Sequence, residues 1–200
     1  MTRIAVFISG FGSNLQALID AVERGGLPGV EIALVVSNEP EAYGLERATR
    51  HGIPAVTFAL APYIEAQRPR AAYDADLAAI VQAFDASWIV MAGWMHVLSD
   101  AFLRHFPSRV VNLHPALPGT FPGTDAIRRA YEAYREGKIG CTGVMVHLVP
   151  DEAVDAGPVV AKEPVPILPD DRLDDLEERI HGVEHRLLVR AVHQLLCPEA

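Results

Sequence analysis

Short β-branched runs alternate with amphipathic helical segments along the whole chain, and that alternation leaves few architectures other than a mostly parallel sheet covered by helices. Strands are expected at Arg3–Ile8, Ile32–Val36, Ala55–Phe58, Trp88–Ala92, Val110–Leu113, Val144–Leu148 and Val159–Val165. Helices are expected over Asn14–Arg24, Tyr43–His51, Arg70–Phe84, Asp125–Glu136 and Leu173–Leu196, with loops at Ala59–Pro69 and Pro150–Pro158. The first helix shows its period most plainly: Leu15, Leu18, Ile19 and Val22 fall at i, i+3, i+4 and i+7. No repeat or linker interrupts the pattern, so a single α/β domain over 1–200 is expected. In an open sheet of order 3-2-1-4-5, ligands bind beyond the carboxyl ends of the strands, where the order reverses. Ser9–Asn14, Gly93–Leu98 and Asn112–His114 then meet in one cleft.

The chain carries 17 Lys and Arg against 26 Asp and Glu, a net charge of −9. That balance argues against nucleic acid or an anionic membrane as partner. The last fifty residues hold 5 of the basic and 12 of the acidic residues, so the excess is concentrated there. With 200 residues, half of them hydrophobic, the chain buries roughly 70% of its unfolded surface and needs no metal or disulfide staple. Two cysteines, Cys141 and Cys197, form neither a disulfide framework nor a metal-ligand spacing. MTRIAVFISG lacks a signal-peptide core, and Trp88–Leu98 is too short an apolar stretch to cross a bilayer. A reducing cytoplasm is the expected compartment.

Three segments carry chemistry. In SGFGSNLQ, glycines allow close backbone approach, Ser13 or Asn14 can cap the helix, and free N–H groups at a helix start attract an anion such as phosphate. The other reading is a tight turn with an ordinary cap. In VVNLHPALPG, strand alternation puts Asn112 and His114 on one face, an amide and an imidazole able to hold a carbonyl oxygen and manage a proton. A polar strand end with a satisfied histidine is the alternative. In VHLVPDEAVDAGPVV, Asp151, Glu152 and Asp155 form either a solvated acidic loop or a source of one carboxylate for His114, whose pKa it would raise. His147 reads equally as a core or a functional residue. His181 and His185 stand at i, i+4 without the residues that complete a zinc site.

Taken together, ISGFGSNLQAL, AGWMHVLS, NLHPALPG and VDAGPVV closely resemble the phosphoribosylglycinamide formyltransferase family, in that family's order and over nearly the whole chain. The resemblance implies a Rossmann-like formyltransferase fold and transfer of a formyl group from 10-formyltetrahydrofolate to the amine of glycinamide ribonucleotide in purine biosynthesis. It implies a phosphate-binding first half, about 1–100, and a folate-binding and catalytic second half, about 101–200. Carried over residue by residue, Asn112, His114 and Asp155 are catalytic. Gly12, Ser13, Asn14, His181, Gly182, Val183 and Glu184 hold the ribonucleotide. Arg70, Met95, His96, Val97, Leu98, Asp151, Glu152, Ala153 and Val154 meet the folate, together with Asn112 and Asp155. A protonated His114, kept charged by Asp155, and the Asn112 amide would stabilise the oxyanion. No metal is implied, the folate is a cosubstrate, and a homodimer is the one protein partner left open. His96 stands where many members have Arg, and Ala116-Leu117-Pro118-Gly119 where many have Ser-Leu-Leu-Pro. Both ligands are anions, so attraction has to come from the loop amides and Arg70.

Relatives with the same Asn, His and Asp constellation, the methionyl-tRNA formyltransferases and formyltetrahydrofolate hydrolases, carry an additional domain for which 200 residues leave no room. A non-catalytic nucleotide- or folate-binding protein would not need all three residues. A dehydrogenase is disfavoured by the incomplete glycine fingerprint.

Overall fold

The computed structural model describes residues 1–197, and residues 198–200 of the expected domain lie outside the described residues. The elements run β1 (Thr2–Ile8), α1 (Ser13–Glu23), β2 (Val30–Ser37), α2 (Tyr43–Arg50), β3 (Ala55–Thr57), α3 (Ala61–Glu65), α4 (Arg70–Ala83), β4 (Trp88–Met91), α5 (Asp100–Leu103), β5 (Val110–His114), α6 (Ala126–Arg135), β6 (Cys141–Leu148), β7 (Val159–Pro166) and α7 (Leu173–Leu196). Seven strands form one sheet in the order β3-β2-β1-β4-β5-β6-β7. The first five are parallel, as expected, whereas β6 and β7 extend the sheet antiparallel.

Alternation along β1 divides the core between the two faces of the sheet. Ile4, Val6 and Ile8 pack with Leu15, Leu18 and Ile19 of α1 and with Leu176, Ile180, Leu187 and Leu188 of α7. On the opposite face Ala5 and Phe7 meet Tyr73, Leu77 and Val81 of α4 and the ring of Phe102. Residues 4 to 8 of β1 are wholly buried, which marks it as the central strand beside which the order reverses.

Three expectations are corrected. The loop Ala59–Pro69 contains α3, and a further short helix, α5, follows the Gly93–Leu98 segment; neither is long enough to show a periodic stripe. Strand β6 starts at Cys141 rather than Val144, because Gly143 has no side chain and lets Leu117 and the Glu163 carbonyl close onto it. Finally, α1 is capped by Gly12 in a left-handed conformation with no side-chain cap, and the Asn14 amide reaches instead to Glu184.

Candidate active site

A cavity of about 1010 Å³ opens along the carboxyl ends of β1, β4 and β5, at the reversal of strand order. The three segments singled out in the sequence all line it. So do Met95, His96, Val97, Leu98, Asp151, Glu152, Ala153 and Val154, and from α7 His181 and Glu184. Arg70, Gly182 and Val183 are not among its lining residues. Both expected halves, 1–100 and 101–200, contribute to its wall.

At the β5 end, Asn112 and His114 share a face. Asp155 arrives over them on the loop between β6 and β7, and Gly157 explains how: a Cβ there would stand 1.8 Å from the Leu148 carbonyl oxygen, so only glycine lets the loop fold this tightly against β6. Asp155 itself adopts a left-handed φ of 52°, a conformation uncommon outside glycine and frequent where function holds it in place. Its Oδ2 lies 3.2 Å from His114 Nδ1 and accepts the Gly123 N–H at 2.8 Å. Its Oδ1 accepts from the Asn112 amide at 3.0 Å.

His147 completes the group. Antiparallel register sets it opposite Asn112, and it is 1% exposed. Its Nδ1 lies 2.9 Å from the Leu148 carbonyl oxygen and its Nε2 3.2 Å from the Asn112 amide nitrogen, and the proton's place on the ring sets whether Nε2 accepts from Asn112 or donates to Asp155. The same nitrogen is 3.4 Å from Asp155. The sequence reading left this histidine undecided, and only the register of β5 against β6 settles its neighbours.

Burial is the largest influence on the Asp155 carboxyl and pushes its pKa up. The His147 side chain, the Gly123 N–H and the charge of His114 together outweigh it, and the net shift is downward. For His114 burial also dominates, and it pushes the imidazole below its usual value despite the opposing pull of Asp155. Asp155 does pull the His114 pKa upward, as expected, but removal from water outweighs it, so the net direction does not favour the charged ring. His114 Nε2 donates to the Phe121 carbonyl at 3.0 Å.

At the β1 end, the Gln16 N–H is the first to return to the loop, to Gly12 O at 3.0 Å. The amides of Ser13, Asn14 and Leu15 are those that a helix start leaves open. Gly12 has a φ of 74°, and a Cβ on it would lie 2.7 Å from the Gly44 Cα. Asn14 is buried and donates to Glu184 at 3.3 Å. Burial raises the Glu184 pKa, opposed by His181 and by the Asn14 bond.

Along the third wall, Phe7 supports Trp94, and Met95 and Val97 stand exposed beside His96. The Met95 N–H is held by Ser9 Oγ at 2.9 Å. Arg70 sits behind this segment, paired with buried Asp74 at 3.1 Å and donating to the Val97 carbonyl. Burial, and then the charge of Arg70, lower the His96 pKa. Asp151 and Glu152 line the cavity with one oxygen each engaged, by the Ala153 and Asp100 N–H groups respectively.

Five of the eight histidines and five carboxylates line the cavity, and no Lys or Arg does. Of the acidic residues in the last fifty, Asp151, Glu152, Asp155 and Glu184 line the cleft, and Arg70 lies behind its wall rather than on it. Among the described residues, no group of three His, Cys, Asp or Glu could hold a metal ion, and no helix is long and apolar enough to cross a membrane.

The formyl transferase family profile matches residues 2–192. The chain is 48% identical to phosphoribosylglycinamide formyltransferase of Schizosaccharomyces pombe, over 98% of each chain. It is 38% identical to the enzyme of the same name from Escherichia coli, over 92% of this chain and 82% of the relative. A crystal structure of glycinamide ribonucleotide transformylase 1 from Geobacillus kaustophilus superposes with a TM-score of 0.90 at 41% identity, covering 98% of this chain and 99% of that one.

Proposed function

The chain belongs to the phosphoribosylglycinamide formyltransferase family, and from that premise we propose how its cleft divides the work of moving a formyl group from 10-formyltetrahydrofolate to the amine of glycinamide ribonucleotide. The observation that carries the division is the convergence of Asn112, His114 and Asp155 on one wall, facing the open amides of the glycine loop across the same cavity. The loop, with Ser13 and Asn14, takes the ribonucleotide phosphate through backbone N–H groups and the helix start. Glu184 and His181 close over the rest of the ribonucleotide from α7. Met95, Val97 and Val154, all exposed apolar side chains on the cavity rim, receive the flat rings of the folate, and the backbone of Met95–Ser99 is held in place by Ser9, Arg70 and Asp74.

In the reaction a C–N bond forms between the glycinamide amine and the formyl carbon, and the bond from that carbon to the folate nitrogen breaks. One proton leaves the amine and one reaches the folate nitrogen. With its lowered pKa, neutral His114 is suited to take the amine proton at Nε2 once that nitrogen leaves the Phe121 carbonyl and the ring proton sits on Nδ1, facing Asp155 at 3.2 Å; the ionised Asp155 then stabilises the imidazolium that results. Both hydrogens of the Asn112 amide face Asp155 and His147, so donation to the developing oxyanion requires one of them to be redirected. An oxyanion donor of this kind contributes on the order of 10²–10³ in rate.

Mixing the protein with both substrates tests the reading. Tetrahydrofolate is released only when the ribonucleotide is present; equal release without it means hydrolysis rather than transfer.

A further inference from the structure

Arg47 lies outside the cleft wall, yet it is the cation most directly joined to the glycine loop. It extends from α2, where its Nε donates to the Phe11 carbonyl at 2.9 Å and its Nη1 to Gln16 Oε1 at 3.1 Å. Its guanidinium lies 4.5 Å from the centre of the Phe11 ring and 4.8 Å from that of Tyr43, and those two rings stack at 5.3 Å. One turn earlier on α2, the Gly44 N–H donates to the Gly10 carbonyl at 3.1 Å. A Cβ on Gly44 would meet Ile8 Cδ1 at 2.3 Å and Gly12 Cα at 3.3 Å. Helix α2 is thus pressed onto the loop and ties down two successive carbonyls.

That arrangement has a consequence fixed by peptide geometry. In a trans peptide the C=O and the following N–H point in opposite directions, and the described chain has no cis bonds. Drawing the Gly10 and Phe11 carbonyls toward α2 turns the Phe11 and Gly12 N–H groups away from it, and both residues line the cavity. We infer that Arg47 is a positioning residue for the ribonucleotide: through the Phe11 carbonyl it keeps the loop amides turned to the substrate's phosphate, setting affinity for that substrate while leaving the formyl donor and the chemical step alone. The inference rests on the proposed role of the glycine loop. A cation placed behind the loop also fits a cleft whose lining holds no Lys or Arg, because the positive character offered to the anion then comes through peptide dipoles.

The test is steady-state kinetics on the full chain carrying Arg47→Met, which keeps the length of the side chain and removes its donors, beside Arg47→Lys, which keeps the charge without the planar fork. Arg47→Met should raise KM for the ribonucleotide about tenfold, with kcat and KM for 10-formyltetrahydrofolate within about twofold of wild type. Arg47→Lys should still show a rise of about fivefold. An unchanged KM in Arg47→Met overturns the inference. Full recovery of KM in Arg47→Lys while exchange at the Phe11 and Gly12 amides stays fast overturns it too, since charge alone would then suffice. A joint loss in kcat and both KM values with a lowered Tm overturns it in favour of a general structural role. If wild type fails to formylate the ribonucleotide, the substrate reading fails separately. Hydrogen exchange at the Phe11 and Gly12 amides still decides the clamp, being about tenfold faster in Arg47→Met if it holds and unchanged if it does not.

Discussion

The two ends of the cleft are made of different material. At the glycine loop, the proposed phosphate site is built from backbone: peptide N–H groups, a helix start and a left-handed glycine wedged against another glycine. At the end of β5 the cleft is built from side chains, four of which, Asn112, His114, His147 and Asp155, share hydrogen bonds and charge on the cavity wall. Backbone groups survive any substitution but are displaced by added atoms. A side-chain network tolerates little deletion. The first end should therefore fail through affinity and the second through rate.

The largest effect is expected at the side-chain end. His114→Ala should lower kcat by roughly 10²–10³ while KM for the ribonucleotide and the Tm change little; steady-state kinetics with a thermal melt would show it, and a retained full rate would remove His114 from its assigned role. Gly12→Ala should do the opposite. With φ at 74° and the new methyl 2.7 Å from Gly44, it should raise KM for the ribonucleotide about tenfold or more and reduce stability by about 1–3 kcal/mol in urea titrations, with kcat nearly preserved. If kcat collapsed instead, the division between the two ends would be wrong.

Two smaller effects sharpen the side-chain end itself. His147→Leu keeps the volume filled but removes a partner of both Asn112 and Asp155, and should lower kcat roughly tenfold. It also removes the strongest of the contacts that lower the Asp155 pKa against burial, so the acid limb of the pH–rate profile should move to higher pH. In Asp155→Asn, the carboxylate that raises the His114 pKa against burial is gone, so NMR titration should find the His114 ring titrating at still lower pH than in wild type. A move to higher pH would contradict the electrostatics described above.

Much of this was legible in the sequence because it rests on local chemistry. The β-branched runs mark the strands of the parallel half, the glycines mark the loop, and period-two alternation puts Asn112 beside His114. Other features depend on elements far apart. His147 gains its meaning from the register that sets it opposite Asn112, which no local pattern encodes. The direction in which the His114 pKa moves depends on how much water the fold removes, which the presence of Asp155 alone does not tell. Arg70 was expected in the cleft, but its position behind Val97 follows from the turn between β4 and α5 and from buried Asp74. Helices α3 and α5, of five and four residues, are too short to display a period at all.

The bond between Asn14 and Glu184 joins positions 170 residues apart, and it gives the site a history in time. At a synthesis rate of about 5–20 residues per second, Asn14 is made roughly 10–35 s before its partner exists. During that interval the apolar face that α1 and β1 later share with α7 has no cover from that helix, and the glycine-loop end of the cleft lacks its far wall. A ribosome-bound chain therefore passes through a stage at which the glycine-loop segment exists without Glu184, and the cavity is closed on that side only when α7 docks.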